Sequence, residues 1–267
     1  MVVGLAWATA ATSSAPDKAE ASPARAKGLS PGQRRRADKL VSQFENSTSK
    51  IQYCYVEALG DGRGYTVGRA GFTSATGDLL VVAERYTKSA GANALSPLLP
   101  RLRELAAKED GSTAGLETLP NAWATTCRDA RQRRIQDAVV DEEYYLPARR
   151  HWRKLKLRTA LSLAAIYDAD IQHGDGDDPD GVPAMLRRAA KRAGGTPRSG
   201  VRESRFLRAF LTVRRATLAH AHDPSTREAW AQSVERVDVW RYLVRTRQRR
   251  LASPVRVRTP NYRFRLR

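Results

Sequence analysis

The 267-residue chain has little sulfur and few aromatic rings: two cysteines, two methionines, and 7% Phe, Trp and Tyr together. Two cysteines cannot build a disulfide-rich mini-domain, and nothing has the spacing of a zinc site. Cys54 and Cys127 could form one bridge in an oxidising compartment or stay as two buried thiols; buried thiols are the expectation. No apolar run reaches the length of a bilayer span, so no membrane-crossing helix is expected. Lysine is scarce too, with 9 of the 47 basic residues, which leaves 38 arginines. A GC-rich coding sequence produces that bias without any functional demand.

What the chain has in excess is positive charge, +19 at neutral pH. Such a charge suggests nucleic acid or an anionic surface as partner. Its distribution argues against that reading. From Val41 to Cys127 there are 8 basic and 9 acidic residues. From Thr159 to Leu186 there are six Asp and no Lys or Arg. The excess lies in Arg128–Arg158, Arg187–Arg215 and Arg236–Arg267, read as solvated faces, and no specific nucleic-acid partner is expected.

The chain divides into residues 1–29 and 30–267. Met1 to about Ala11 is apolar and small, like the core and cleavage zone of a secretory signal, without its basic leading region. That fits a start lying inside a longer signal and predicts a secreted, extracellular protein. A linker rich in Ala, Ser and Pro follows, read as disordered. The remainder, 41% hydrophobic over the whole chain, suffices for one core or two lobes.

Ser30-Pro31 opens a helix whose apolar stripe is Ala37, Leu40, Val41 and Phe44. Glu45 follows that stripe near the helix C-terminus, where the helix dipole favours a protonated carboxyl. Sixteen residues on, Asp61 sits in Gly60-Asp61-Gly62-Arg63-Gly64-Tyr65-Thr66, a turn that three glycines keep irregular. One proton-holding carboxyl and one exposed carboxylate are what hydrolysis of a glycosidic bond requires. Residues 68–73 suggest a short strand, and Thr76-Gly77-Asp78 starts another helix with Asp78 in its first turn. Further helices are expected near 96–108, 121–138, 149–173, 182–193, 203–221 and 226–250. The alternation at 255–258 and 262–266 reads as an edge strand or a basic tail. The Asp-rich run 175–180 lacks the closing Glu of a calcium loop, so no metal is expected.

Taken in order, Glu45-Asn46-Ser47, Tyr55, the Gly60–Thr66 block, Gly71-Phe72 and Thr76-Gly77-Asp78 resemble the chitosanases of glycoside hydrolase family 46. Weaker likenesses run on through Trp123-Ala124-Thr125, Tyr144–Ala148, Tyr167-Asp168-Ala169 and His173-Gly174 to Arg227. The resemblance implies a mainly helical α+β, lysozyme-like fold of two lobes with a substrate cleft between them, the helix near 149–173 joining the lobes. It implies endo-hydrolysis of β-1,4-linked glucosamine polymers with inversion, by a monomer that needs no cofactor. Glu45 matches the general acid, Asp61 the general base, and Thr66 the hydroxyl that holds the attacking water. Ser47, Tyr55, Arg63, Gly71, Asp78 and His173 match substrate-contacting positions. Asp168, Arg214 and Arg227 match a buried charge network that supports the acid.

Several of these residues have plainer readings. Arg63 could bind loop carbonyls or pair with a carboxylate, Tyr55 could be a core aromatic, and His173 a cation at a helix C-terminus. The family commonly carries a Glu between the positions of Arg214 and Arg227; Leu218–Arg227 has none, Asp223 is the acid that could partly substitute, and weaker distal binding is expected. Two rival functions are a muramidase-type hydrolase on a related scaffold and a non-enzymatic polyanion binder. Asp78 favours the free amine of glucosamine over the N-acetyl group that a muramidase meets.

Overall fold

The computed structural model describes residues 28–224 and 226–267. Of the signal-like and linker segment expected over residues 1–29, residues 1–27 lie outside them. The fold is mainly helical with two small antiparallel sheets. It divides into two compact units, one of Asn46–Glu143 and one made of the chain up to Glu45 together with Tyr144–Arg267.

Helix α1 (Pro31–Asn46) begins with a reciprocal cap. Ser30 Oγ accepts from Gln33 N at 3.3 Å, and Gln33 Oε1 accepts from Ser30 N at 2.8 Å. Two amides left open at a helix start are thereby satisfied. Ala37, Leu40 and Val41 form its buried face.

The unit Asn46–Glu143 contains a three-stranded meander of β1 (Val56–Ala58), β2 (Tyr65–Val67) and β3 (Phe72–Thr73). Residues 68–71, expected to be strand, form the β2–β3 turn, where Gly68 and Gly71 have positive φ. Gly64 enters β2 at φ +74°, and a Cβ there would lie 2.1 Å from Ser74 Oγ. No other residue fits that position. Helices α2 (Asp78–Ala90), α3 (Leu99–Lys108), α4 (Leu119–Thr126) and α5 (Ala130–Val140) complete the unit. Leu79, Val82 and Ala83 of α2, Leu102 and Leu105 of α3, and Trp123 of α4 are fully buried. The single helix expected over 121–138 is divided because Asp129 caps α5, accepting from Arg131 N at 2.8 Å.

Cys54 and Cys127 are a disulfide, which corrects the expectation of two thiols. The Tyr53 carbonyl accepts from Trp123 Nε1 and from Gln136 Nε2, both at 3.1 Å. Those bonds pin the segment before β1 to α4 and α5, and the two cysteine Cα atoms lie 5.1 Å apart.

In the other unit, α6 (Leu146–Lys154) and α7 (Ala160–His173) replace the long helix expected over 149–173. Lys156 has φ +56° and breaks the run. Thr159 caps α7, and the carboxylate of Glu203 accepts from Arg158 N, Thr159 N and the Thr159 and Ser162 hydroxyls at 2.6–3.1 Å. Every residue of α7 from Leu161 to His173 is buried. It packs against α6, α8 (Val182–Ala193) and α11 (Glu235–Arg245), with α9 (Glu203–Ala219) on α8, and α10 (Arg227–Gln232) and α11 on α9. The helix expected over 226–250 is thus two helices ending at Arg245. The C-terminal alternation forms a hairpin of β4 (Val255–Arg258) and β5 (Arg263–Leu266) on α11.

Candidate active site

Glu45 stands near the C-terminal end of α1, its side chain 19% exposed. Arg236 Nη1 lies 2.8 Å from Glu45 Oε1. That is an ion-pair distance without hydrogen-bond geometry, and Oε1 is a buried atom with no hydrogen-bond partner. Arg236 reaches on to Asp168, from Nη2 to Oδ1 at 2.6 Å. Asp168 Oδ2 accepts from Arg214 Nη1 at 2.5 Å and from Trp240 Nε1 at 2.7 Å. Arg214 Nη2 then donates to Gln172 Oε1 at 2.7 Å, and Gln172 Nε2 to Ser233 Oγ at 2.8 Å.

Burial is what raises the Glu45 pKa above its ordinary value; the Arg236 charge opposes it and the Asp168 charge adds to it. Asp168 is buried as well, but two guanidiniums outweigh its desolvation and hold its pKa down. Arg236 stays charged because Asp168 and Glu45 together overcome its own burial. Glu45 is therefore a carboxyl biased toward keeping its proton, on a support that is itself ionised.

The second guanidinium on Asp168 belongs to Arg236, not Arg227, a correction to the sequence reading. Arg227 is exposed at the start of α10 and donates to the carbonyls of Ala221 at 2.9 Å and His222 at 3.2 Å. Arg236 had a signal of its own: it lies in the buried stripe of α11, one turn before Trp240. An arginine at a core position needs an acid, and Asp168 is the buried acid within reach.

His173 closes α7, 3% exposed, its ring 4.5 Å from that of Trp230. Burial, with the charges of Arg214 and Arg236, depresses its pKa strongly. It is neutral, so the reading of His173 as a helix-terminal cation does not hold.

In the unit Asn46–Glu143, Asp61 lies in the loop from β1 to β2. Its Oδ1 accepts from Arg63 N at 3.1 Å and its Oδ2 from Arg63 Nε at 3.0 Å. Arg63 thus pairs with a carboxylate, one of the two readings left open. Burial pushes the Asp61 pKa up, but the Arg63 hydrogen bonds and charge outweigh it and hold the group below its ordinary value. Asp61 is ionised across the neutral range, with its side chain 29% exposed.

Thr66 is at the centre of β2, paired with Glu57 and Thr73. Its Oγ1 is buried and has no hydrogen-bond partner among the described residues. Gly71, at φ +69°, passes so near Thr66 that a Cβ would meet Thr66 Cγ2 at 3.3 Å. The Tyr55 hydroxyl donates to Glu57 Oε2 at 2.6 Å, so Tyr55 is not a plain core aromatic. Burial, that bond and the charges of Glu57 and Asp61 raise its pKa. Glu57, unmarked in the sequence, joins the acidic rim of this loop. Ser47 is exposed at φ +53° just after α1.

Asp78 opens α2, and its Oδ1 takes three donors: Thr73 N at 2.7 Å, Thr76 Oγ1 at 2.8 Å and Leu79 N at 2.9 Å. Burial outweighs those bonds and pushes its pKa up to about 6. Among the described residues, no group of three His, Cys, Asp or Glu side chains is placed to hold a metal ion.

Two carboxyl groups with pKa values driven in opposite directions suit the roles of acid and base in glycoside hydrolysis. The comparisons with known proteins agree. The model of glycosyl hydrolase family 46 matches residues 39–255, and the chain belongs to that family. A chitosanase of Bacillus subtilis (strain 168) is 47% identical over 237 residues, 89% of this chain and 86% of the relative. A mutant chitosanase from Bacillus subtilis MY002 complexed with 6 GlcN superposes with TM-score 0.83 at 46% identity, covering 90% of this chain and all of that one. A family 46 chitosanase of Gynuella sunshinyii in complex with chitotetraose gives TM-score 0.81 at 46% identity, over 90% of this chain and 99% of that one.

Proposed function

We propose that the protein is a secreted, monomeric endo-chitosanase that cleaves β-1,4 bonds between glucosamine units with inversion. What carries the mechanism is the opposed electrostatics of Glu45 and Asp61: burial raises the proton affinity of the first, and Arg63 lowers that of the second. Glu45 protonates the departing glycosidic oxygen. Asp61 takes a proton from the attacking water, and the free hydroxyl of Thr66 orients that water. The water adds to the anomeric carbon as the glycosidic bond breaks, so the proton balance closes on the two carboxyls. Asp78 meets a substrate amine through Oδ2, the oxygen its three donors leave open.

The bound oligosaccharides named for the solved relatives support the substrate class. The disulfide suits an oxidising compartment. Leu146 is the one large apolar side chain exposed among the described residues, which favours a single chain in solution. The test is reducing-end release from highly deacetylated chitosan, with proton NMR of the fresh product. An α-anomer from the wild type and loss of turnover in Glu45→Gln are expected. A β-anomer, or cleavage of peptidoglycan but not chitosan, overturns the reading.

A further inference from the structure

The turn of the C-terminal hairpin reaches the helix that carries the proton donor. Thr259 N donates to the Tyr262 carbonyl at 2.8 Å, and Tyr262 N donates to Thr259 Oγ1 at 3.1 Å, which fixes the residue that enters β5. Val255 and Val257 of β4 and Leu266 of β5 are buried and seat the ribbon on α11. From that seat the half-buried Tyr262 ring meets Phe44 edge-on, with centroids 5.6 Å apart. Phe44 immediately precedes Glu45 on α1. Trp240 meets the same ring edge-on at 6.2 Å, and Arg236 Cζ stands over it, 5.2 Å from the centroid. Arg236 is the guanidinium that also holds Glu45 and Asp168. Its Nε is buried with no hydrogen-bond partner among the described residues. Two carboxylates and one aromatic face therefore set where it sits.

We propose that Tyr262 is a positioning residue for the proton donor: its ring, acting through Phe44, keeps the Arg236–Glu45 pair closed to water. The inference rests on the reading of Glu45 as the general acid. The ring does this, not the phenol. Burial raises the pKa of the Tyr262 hydroxyl, the Arg236 charge opposes that, and the charges of Glu235, Asp168 and Glu45 add to it. The hydroxyl is therefore neutral and gives the network no charge. Trp240 also touches Phe44, but it is fully buried and bonded to Asp168. The hairpin side is where a missing ring admits water. The charged groups acting on Glu45 are Arg236, Asp168 and Arg214, and burial is the largest cause of its raised pKa. Water at the pair weakens burial and screens all three charges, so the carboxyl returns toward its ordinary value, which is downward.

Carbon-13 NMR of the full chain, with the Glu45 carboxyl assigned through Glu45→Gln, reads that proton affinity without reference to turnover. In Tyr262→Ala the titration midpoint should fall by about 0.5 or more. The basic limb of the kcat profile on a soluble glucosamine oligomer should move to lower pH by the same amount, with KM unchanged. Tyr262→Phe keeps the ring and should titrate as wild type. Phe44→Leu keeps apolar bulk, removes the ring under Arg236, and should also lower the midpoint. Tyr262→Ala/Phe44→Leu should shift no further than the larger single change, because both cut one path. These variants leave the Val255, Val257 and Leu266 anchors in place, and a cooperative melt checks the fold. An unmoved midpoint in Tyr262→Ala overturns the proposal, whatever its melting temperature. So does a midpoint that rises, the sign of a lost Arg236 charge, or a double variant whose shifts add. A midpoint that falls beside an unmoved kcat limb upholds the contact and removes Glu45 as the donor.

Discussion

Arg236 holds Glu45 at 2.8 Å while its other terminal nitrogen holds Asp168 at 2.6 Å. One guanidinium therefore joins the proton donor to a carboxylate that is fully buried. Glu45 feels the Arg236 charge directly and the Asp168 charge through it, and the two pull its pKa in opposite directions.

Arg236→Gln leaves Asp168 with Arg214 and Trp240 and removes the cation paired with Glu45 among the described residues. Removing one partner of a buried pair costs about 3–5 kcal/mol, and urea denaturation should show a loss of that size. Arg227→Gln, which cuts only two carbonyl contacts at the surface, should cost about 1 kcal/mol or less. The kinetics carry a second sign. Glu45 acts protonated, so activity falls as pH rises through its pKa. Without the lowering charge of Arg236 that pKa rises, and the basic limb of the kcat profile in Arg236→Gln should move to higher pH.

Asp78 separates a structural role from a ligand role. Its folded pKa, pushed up to about 6, lies above its unfolded value. Its stabilising contribution is then complete below the unfolded value and declines as pH rises through about 6. Asp78→Asn keeps an Oδ1 acceptor for Thr73, Thr76 and Leu79 and removes the charge, so the melting temperature at pH 7 should stay level or rise. A charge-assisted bond to a substrate amine is worth about 1.5–3 kcal/mol. KM for chitosan should therefore rise roughly 10- to 100-fold. In the wild type KM should fall as pH rises through about 6, as Asp78 ionises.

The carboxylate pair was legible because both members sit in short, contiguous signatures: Glu45 after an apolar stripe and Asp61 among glycines. Arg236 was not, because its meaning depends on Asp168, 68 residues away in sequence. The break between α6 and α7 was hidden for the same reason. Nothing from Leu155 to Thr159 is a glycine or proline, and the cap that stabilises the new helix start is Glu203, 44 residues from Thr159. The pairing of the two cysteines was not legible because 73 residues separate them, and the Trp123 and Gln136 bonds to Tyr53 help bring them together.

The disulfide closes that long loop in the unfolded chain, so its loss should be felt mainly as stability. Cys54→Ser/Cys127→Ser should lower the unfolding free energy by about 2–4 kcal/mol. Dithiothreitol should lower the wild-type midpoint toward that of the variant and leave the variant unchanged. Activity well below the transition should survive, because neither sulfur lies in the charge networks around Glu45 or Asp61. A variant as stable as wild type would show that the bonds at Tyr53 alone hold the β1 entry.

Thr66→Val isolates one hydroxyl. Valine keeps the branched shape, and Thr66 Oγ1 is buried with no partner among the described residues. A polar atom buried without a hydrogen bond is a cost to the fold. Removing it should leave the melting temperature level or raise it. If that hydroxyl orients the water activated by Asp61, the same change removes a bond worth about 1–1.5 kcal/mol in the transition state. kcat should then drop about tenfold, with KM nearly unchanged because the sugar contacts are intact. Thr66→Ser, which restores the hydroxyl, should recover most of the rate. A valine variant with full kcat would assign Thr66 to packing alone and leave Asp61 to place the water unaided.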